Sequence, residues 1–318
     1  MNIYYIWRIL WSHVRSGDLK IKFFIALVGW NVGKESNEDV IRFLLQKIQY
    51  CLDMGLLSAD QMKREMREGT KKDPSISDFR EHVLKPKLFA EGTSDSLKTQ
   101  LATYMINFNY PREPGNWTQM FESGVITNNS GETYTLNKLQ RYNCVMKLAK
   151  WGHEYEAFFD QEFAKEYSDA DEHAKMRIQA SKAAVEHKQS VWDSYLEQGQ
   201  WKQAHFDSSV SFLLNTNERE ECEHFADQFF DKVEFVEQNF HRDFFESWFS
   251  SLCPSFLRRP GDLAKYTELL AKYENCTDKT LFVKLLKDQI DSMENLIEMA
   301  KKNKIDVNAE VSDDSSSY

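Results

Sequence analysis

This sequence predicts an all-α chain built from stacked antiparallel helix pairs, an α-solenoid of the HEAT or armadillo kind. Three observations carry that expectation. Only 12 Gly and 6 Pro occur in 318 residues, too few for the many tight turns of an all-β fold, and the abundant Leu, Lys, Glu, Gln, Ala and Met leave long stretches free to be helical. Apolar residues recur at helical spacing in one segment after another. Short turns separate the segments, which sets neighbouring helices antiparallel. No strict sequence period accompanies them, so the repeat reading rests on helix order.

The elements follow in order. Ile3, Trp7, Leu10, Trp11 and Val14 lie at helical spacing, and Gly17 ends the run. Ile6 and Ile9 add apolar surface elsewhere on this first helix, so it is expected to be covered on several sides, by a preceding segment or by another chain. A second helix is expected from about Leu19 to Trp30. Ser36 or Asn37 can cap a third that carries Val40, Phe43, Leu44, Ile48 and Leu52 and stops near Gly55. Ser58 with Gln61 is a capping-box pattern opening a short helix that Gly69 closes. Thr93–Asp95 start the next, with Leu97, Leu101, Tyr104 and Met105 on one face, until Pro111 and Pro114 break it. A short helix around Trp117–Phe121 ends at Gly124.

Residues 125–135 are polar and turn-rich and read as a loop, after which Thr135 caps a helix running through Trp151. Dense helices follow to about Ser251, with turns at Ser168–Asp171, Gln198–Gln200 and Asn215–Asn217. Pro254–Pro260 punctuate the end. Two last helices, roughly Leu263–Tyr273 and Lys279–Lys302, precede an acidic, Ser-rich tail expected to be disordered. Residues 1–302 are therefore expected to form a single helical-repeat domain and 303–318 a tail.

Composition excludes several classes. Apolar residues at 42% and charged residues at 28% are ordinary for a folded chain and argue against wholesale disorder. The formal net charge is −10, and Lys and Arg are interleaved with Glu and Asp, so no basic stripe of a nucleic-acid binder stands out. No run of 18 apolar residues suggests a membrane span. Five scattered cysteines without a Cys-x-x-Cys pair read as reduced, packed thiols, and with no leader-like start this points to the cytoplasm.

No chemistry-bearing pattern in the sequence is complete. His153-Glu154-Tyr155-Glu156-Ala157 begins like a zinc-peptidase helix, but Ala157 stands where the second His must share the face. Gly29–Glu35 is one residue too short between glycines for a phosphate loop and has Glu35 in place of the Mg²⁺-binding Ser or Thr. Cys222 and His224 offer two ligands with no second pair nearby. The aromatic series from Phe225 to Phe249 sits at helical spacing and reads as core packing. No catalytic, cofactor-binding or metal-ligating residue is therefore expected on this chain.

Several segments, taken together, resemble a known family. Ile6-Trp7-Arg8-Ile9-Leu10-Trp11-Ser12-His13-Val14-Arg15-Ser16-Gly17-Asp18-Leu19 looks like the Leu-Trp … Leu-Trp … Arg-x-Gly-x-Leu opening of the C-terminal helical domain of M1-family zinc aminopeptidases. That domain type is named after endoplasmic-reticulum aminopeptidase. Ala183–Trp192 is similar to its later Ala … Lys … Ala-Trp helix. Phe206–Phe230, Phe240–Phe256 with Leu252-Cys253-Pro254, and the two closing helices match in order over nearly the whole chain. The family's Gly-x-Met-Glu-Asn loop and His-Glu-x-x-His zinc site are absent.

The resemblance implies a non-catalytic helical half of an M1 aminopeptidase. Such a half closes over a zinc-bearing catalytic domain or chain and bounds the peptide-substrate cavity. Zinc is then expected only on that other half, and this chain alone is expected to be inactive. The competing expectation is an independent interaction scaffold that takes a peptide or helix in a concave groove.

Overall fold

The computed structural model describes residues 3–54, 56, 79–108, 115–164, 168–197, 199–214, 219–254 and 261–305. The expectations for Gly55, Ser58–Gly69, Pro111 and Pro114, Asn215–Asn217, residues 255–260 and the acidic tail beyond Ile305 lie outside them. Within them the chain is mostly helical. The first three helices are α1 (Ile3–Ser16), α2 (Ile21–Val32) and α3 (Glu38–Asp53). A π-turn at Arg80–Leu84 runs into α4 (Lys85–Leu88), then come α5 (Asp95–Asn107) and α6 (Gly115–Ser123).

The second half continues with α7 (Lys138–Lys150), α8 (Glu156–Phe163), α9 (Asp169–Ala180), α10 (Val185–Tyr195) and α11 (Gln203–Ser209), the last extended by a 3₁₀ turn, Val210–Phe212. The chain then forms α12 (Arg219–Asn239), α13 (Arg242–Leu252), α14 (Asp262–Tyr273) and α15 (Thr280–Asn303).

Local chemistry explains the boundaries. Asn37 caps α3 by accepting from the N–H groups of Asp39 and Val40, and Ser94 caps α5 through Leu97 N–H. The loop expected at 125–135 is instead a β-hairpin, β1 (Val125–Thr127) against β2 (Thr133–Thr135), antiparallel with Ile126 opposite Tyr134. Asn128 organises its turn, its side-chain oxygen accepting from the N–H groups of Ser130 and Glu132. Thr135 is thus a strand residue, and the cap of α7 is Asn137, in a reciprocal capping box with Gln140.

Helices touch in a regular pattern. From α1 each odd-numbered helix packs on the next odd one, through α3, α5, α7, α9 and α11. The 3₁₀ turn after α11 hands over to α13, and α13 packs on α15. The last helix then returns to the first, since α15 packs on α1. Helices α12 and α14 run parallel, bridged by Lys265–Asp227 at 3.0 Å and Lys272–Glu234 at 2.7 Å.

Two apolar cores fill the interior. One runs from Trp7 to Ile178, and the second gathers Trp192, Phe206, Phe225, Phe229, Trp248, Phe249 and Tyr266. Helix α15, about 36 Å long at 1.5 Å per residue, belongs to both. Its Phe282, Leu286 and Met293 enter the second core and its Leu296, Met299 and Ala300 the first. Apolar burial, the dominant favourable term in folding, therefore joins the two ends of the sequence through this helix.

Candidate functional site

The first and last helices, α1 and α15, pack together at the α1–α2 turn. Helix α1 stops at Gly17, which takes φ +78°, a region open to glycine and strained for other residues. A Cβ there would overlap Cβ, Cγ and Cδ of Lys302, so glycine also provides the room in which α15 lies against the turn. Helix α2 begins with no side-chain cap from its own segment. The cap comes from the far end of the chain: Ile21 N–H donates to Asn303 Oδ1 at 2.8 Å. In return Lys20 Nζ donates to the carbonyl of Lys302 in the last turn of α15. Each helix end satisfies an orphan group of the other, as in a capping box spread over two helices.

A second built feature is the buried ammonium of Lys188 on α10. It is fully shielded and donates to Leu213 O at 2.7 Å, closing the C-terminal end of the 3₁₀ turn. Trp192, one turn on, packs at 5.3 Å from Phe225 and 5.8 Å from Trp248.

Three carboxylates are buried among the described residues: Asp262, which lies 3.7 Å from Lys265 in the first turn of α14, and Glu162 and Asp171, each bonded to a neighbouring helix. Glu162 on α8 accepts from Arg141 Nη2 at 2.8 Å and from its Nε at 3.1 and 3.2 Å, and the same guanidinium stands 4.4 Å from the Phe121 ring. Asp171 on α9 accepts from Lys138 Nζ at 2.7 Å, Tyr142 Oη at 2.5 Å and Ser168 Oγ at 2.9 Å. These bonds, Lys138 foremost, hold its carboxyl well below the usual carboxylate range. Glu162 and Asp171 are buried and bonded to side chains of a neighbouring helix, so they hold helices together.

Ser208 Oγ lies 2.7 Å from Ala204 O and also meets His173 Nδ1. His205, beside His173, faces Glu172 at 3.7 Å. Among the described residues no group of three His, Cys, Asp or Glu side chains could hold a metal ion. An open cleft of about 450 Å³ lies between α1 and α3, lined by Tyr4, Asn37, Asp39, Arg42, Phe43 and Gln46. The Arg42 guanidinium in it is committed to Glu38 at 3.1 Å, Gln100 at 2.9 Å and Ser96 at 3.0 Å.

The patterns singled out in the sequence resolve as follows. Gly29 lies inside α2 and Gly33 ends it. His153 sits in the turn before α8, its ring 6.4 Å from that of Trp117, and Ala157 is in the first turn of α8. His224 bonds Gln189 and Gln228, both at 2.8 Å, while the Cys222 side chain lies outside the described residues. The aromatic series is core: Phe225, Phe229, Phe244, Phe245, Trp248 and Phe249 are buried, with Phe235 the exposed member.

No protein-family model matches the chain, and no curated protein matches it. Among the described residues no helix is long and apolar enough to cross a membrane.

Proposed function

We propose that this chain is the non-catalytic helical half of an M1-type zinc aminopeptidase, one that closes over a zinc-bearing catalytic domain or chain and bounds the cavity in which the peptide lies. One observation carries the reading. The residues on which the family resemblance rests hold structural positions that other residue types fill poorly. The Gly of Arg15-x-Gly17-x-Leu19 has positive φ and leaves room for Lys302. The Lys and Trp of Ala183–Trp192 are a fully buried carbonyl cap and a core aromatic. A resemblance located at such positions follows from a shared architecture more readily than from chance composition.

The same reading makes the array a superhelix of stacked helix pairs, with odd helices in one layer, even helices in the other, and α15 returning across it to α1. In such a bowl the chain contributes walls and remote contacts. Binding energy gathered there positions a peptide while the chemistry takes place on the other half. This chain supplies no acid, base or metal ligand to that reaction.

The test is hydrolysis of fluorogenic Leu, Ala, Arg and Lys amides by the purified chain, with zinc measured on the same sample. No turnover and no zinc are expected. Turnover abolished by a chelator and restored by zinc would overturn the proposal.

A further inference from the structure

An arginine keeps its charge at any ordinary pH, so a folded chain has to balance it wherever water is partly excluded. Among the described residues the buried or half-buried arginines are Arg42, Arg80, Arg141 and Arg177. Arg42 pairs with Glu38, Arg80 with Glu81 and Arg141 with Glu162. Arg177 has no carboxylate partner among the described residues, and its Nε is shielded from solvent with no hydrogen-bond partner. A guanidinium withdrawn from water with donors unused is costly to keep.

The surroundings explain why no acid reaches it. On α9 the positions three and four residues away are His173, Ala174, Ala180 and Ser181, none of them acidic. Across the seam α9 and α11 run side by side in parallel: His173 meets Ser208, and one turn on, Arg177 lies over Phe212, 5.6 Å from the ring centre. Phe212 fixes the guanidinium by cation–π attraction but accepts none of its N–H groups in the plane where they point. The nearby acids are engaged elsewhere. Glu172 faces His205 at 3.7 Å, and Asp207 accepts from Gln203 Nε2 at 2.7 Å.

These groups share one chemistry. A guanidinium fork, an imidazole nitrogen and a hydroxyl follow one another along a single seam with no carboxylate between them. A tetrahedral oxyanion has oxygens for all three, and arginine suits phosphate in both charge and geometry. A planar carboxylate, with two oxygens, matches the arginine fork alone.

We infer that Arg177, His173 and Ser208 form a phosphate-binding site on the α9–α11 seam, taking a single phosphate group, free or carried on a small ester. The inference goes beyond the aminopeptidase reading and does not depend on it.

Calorimetric titration of the purified full chain with inorganic phosphate, near neutral pH and at constant ionic strength, tests it. One phosphate should bind per chain, and acetate should bind about tenfold more weakly or not at all. Arg177→Met keeps a stem over Phe212, removes the charge, and should weaken phosphate binding about tenfold or more. Ser208→Ala and His173→Asn should each weaken it about threefold. Arg177→Met also relieves an unbalanced cation, so without phosphate it should unfold at the wild-type temperature or above it. That result separates a lost site from a lost fold. Phenyl phosphate distinguishes the two sources: tighter binding than inorganic phosphate marks a site for an ester, weaker binding a site for the free ion. No binding at about 10 mM phosphate, unchanged binding in Arg177→Met, acetate binding as well as phosphate, or a lower unfolding temperature for phosphate-free Arg177→Met would each overturn the inference.

Discussion

Gly17 and Lys302 share one small volume: a Cβ on Gly17 would overlap the Cβ, Cγ and Cδ atoms of Lys302. Around that contact Lys20 closes the carbonyl end of α15 and Asn303 closes the amide end of α2. The first and last helices are therefore one structural unit, assembled from opposite ends of the sequence. An array in which each repeat touches only its neighbours has no such contact.

Gly17→Ala is expected to destabilise the chain by about 2–4 kcal/mol, combining the penalty of positive φ with forced displacement of Lys302. Urea unfolding measures it. A midpoint within error of the wild type would mean that α15 does not lie against Gly17 in solution.

Asn303→Ala removes a cap that acts on a helix remote in sequence. A loss of about 1 kcal/mol is expected, with faster hydrogen exchange at the amides of Ile21–Phe24 and little change in α5 or α7. Uniform exchange across all helices would argue that Asn303 acts through general stability and not as the cap of α2.

Part of this corner was legible in the sequence and part was not. Gly17 as the end of α1, Asn37 as the cap of α3 and the apolar spacing of α3 and α5 are local signals, readable because each acts within one turn. The cap of α2 is invisible locally, since it comes from Asn303 and depends on the assembled fold. The 125–135 hairpin was missed because its strands are three residues each, too short for alternation to show, although Asn128 and Gly131 correctly mark the turn. The first helix is apolar on several faces, as its sequence shows: it buries Trp7 and Val14 while Ile3, Tyr5 and Ile9 stand exposed, and α2 likewise exposes Phe23 and Trp30 opposite its core face. Nothing local marks Lys188 as buried, because a Lys on a helix is ordinarily solvated.

Lys188 is best probed by two substitutions. Lys188→Ala leaves a void and an unpaired Leu213 carbonyl, with an expected cost of about 2–4 kcal/mol. Lys188→Met refills the void, removes the bond to the Leu213 carbonyl, and should cost less. Equal losses in thermal or urea unfolding would show that packing contributes nothing at this position.

Asp171 makes stability depend on acid. Its folded carboxyl titrates below the unfolded value of about 3.9, so its contribution is fully present above that value and is lost as pH falls through the folded one. Asp171→Asn should cost about 2–3 kcal/mol near neutrality and should flatten the loss of stability below about pH 4. Unfolding curves from pH 7 to pH 3 on both proteins decide it. Parallel pH profiles would exclude Asp171 as the group responsible.

Burial pushes the thiols of Cys51, Cys144 and Cys253 up to about 12. With so little thiolate, all three should react with a disulfide reagent at pH 8 far more slowly than an exposed cysteine in a peptide, by about a thousandfold from ionisation alone. Denaturation should remove the protection. Fast native modification mapped to Cys51 or Cys144 would mean that the helices around them open readily.

The most direct test of the proposed role uses the chain recovered from the cells that make it, through an affinity tag, under conditions that preserve complexes. Zinc and chelator-sensitive hydrolysis of Leu amide are expected to accompany it, whereas the chain produced alone has neither. A native preparation that carries no zinc and no aminopeptidase activity, or a chain that is active on its own, would contradict the assignment as the non-catalytic half of an M1-type enzyme.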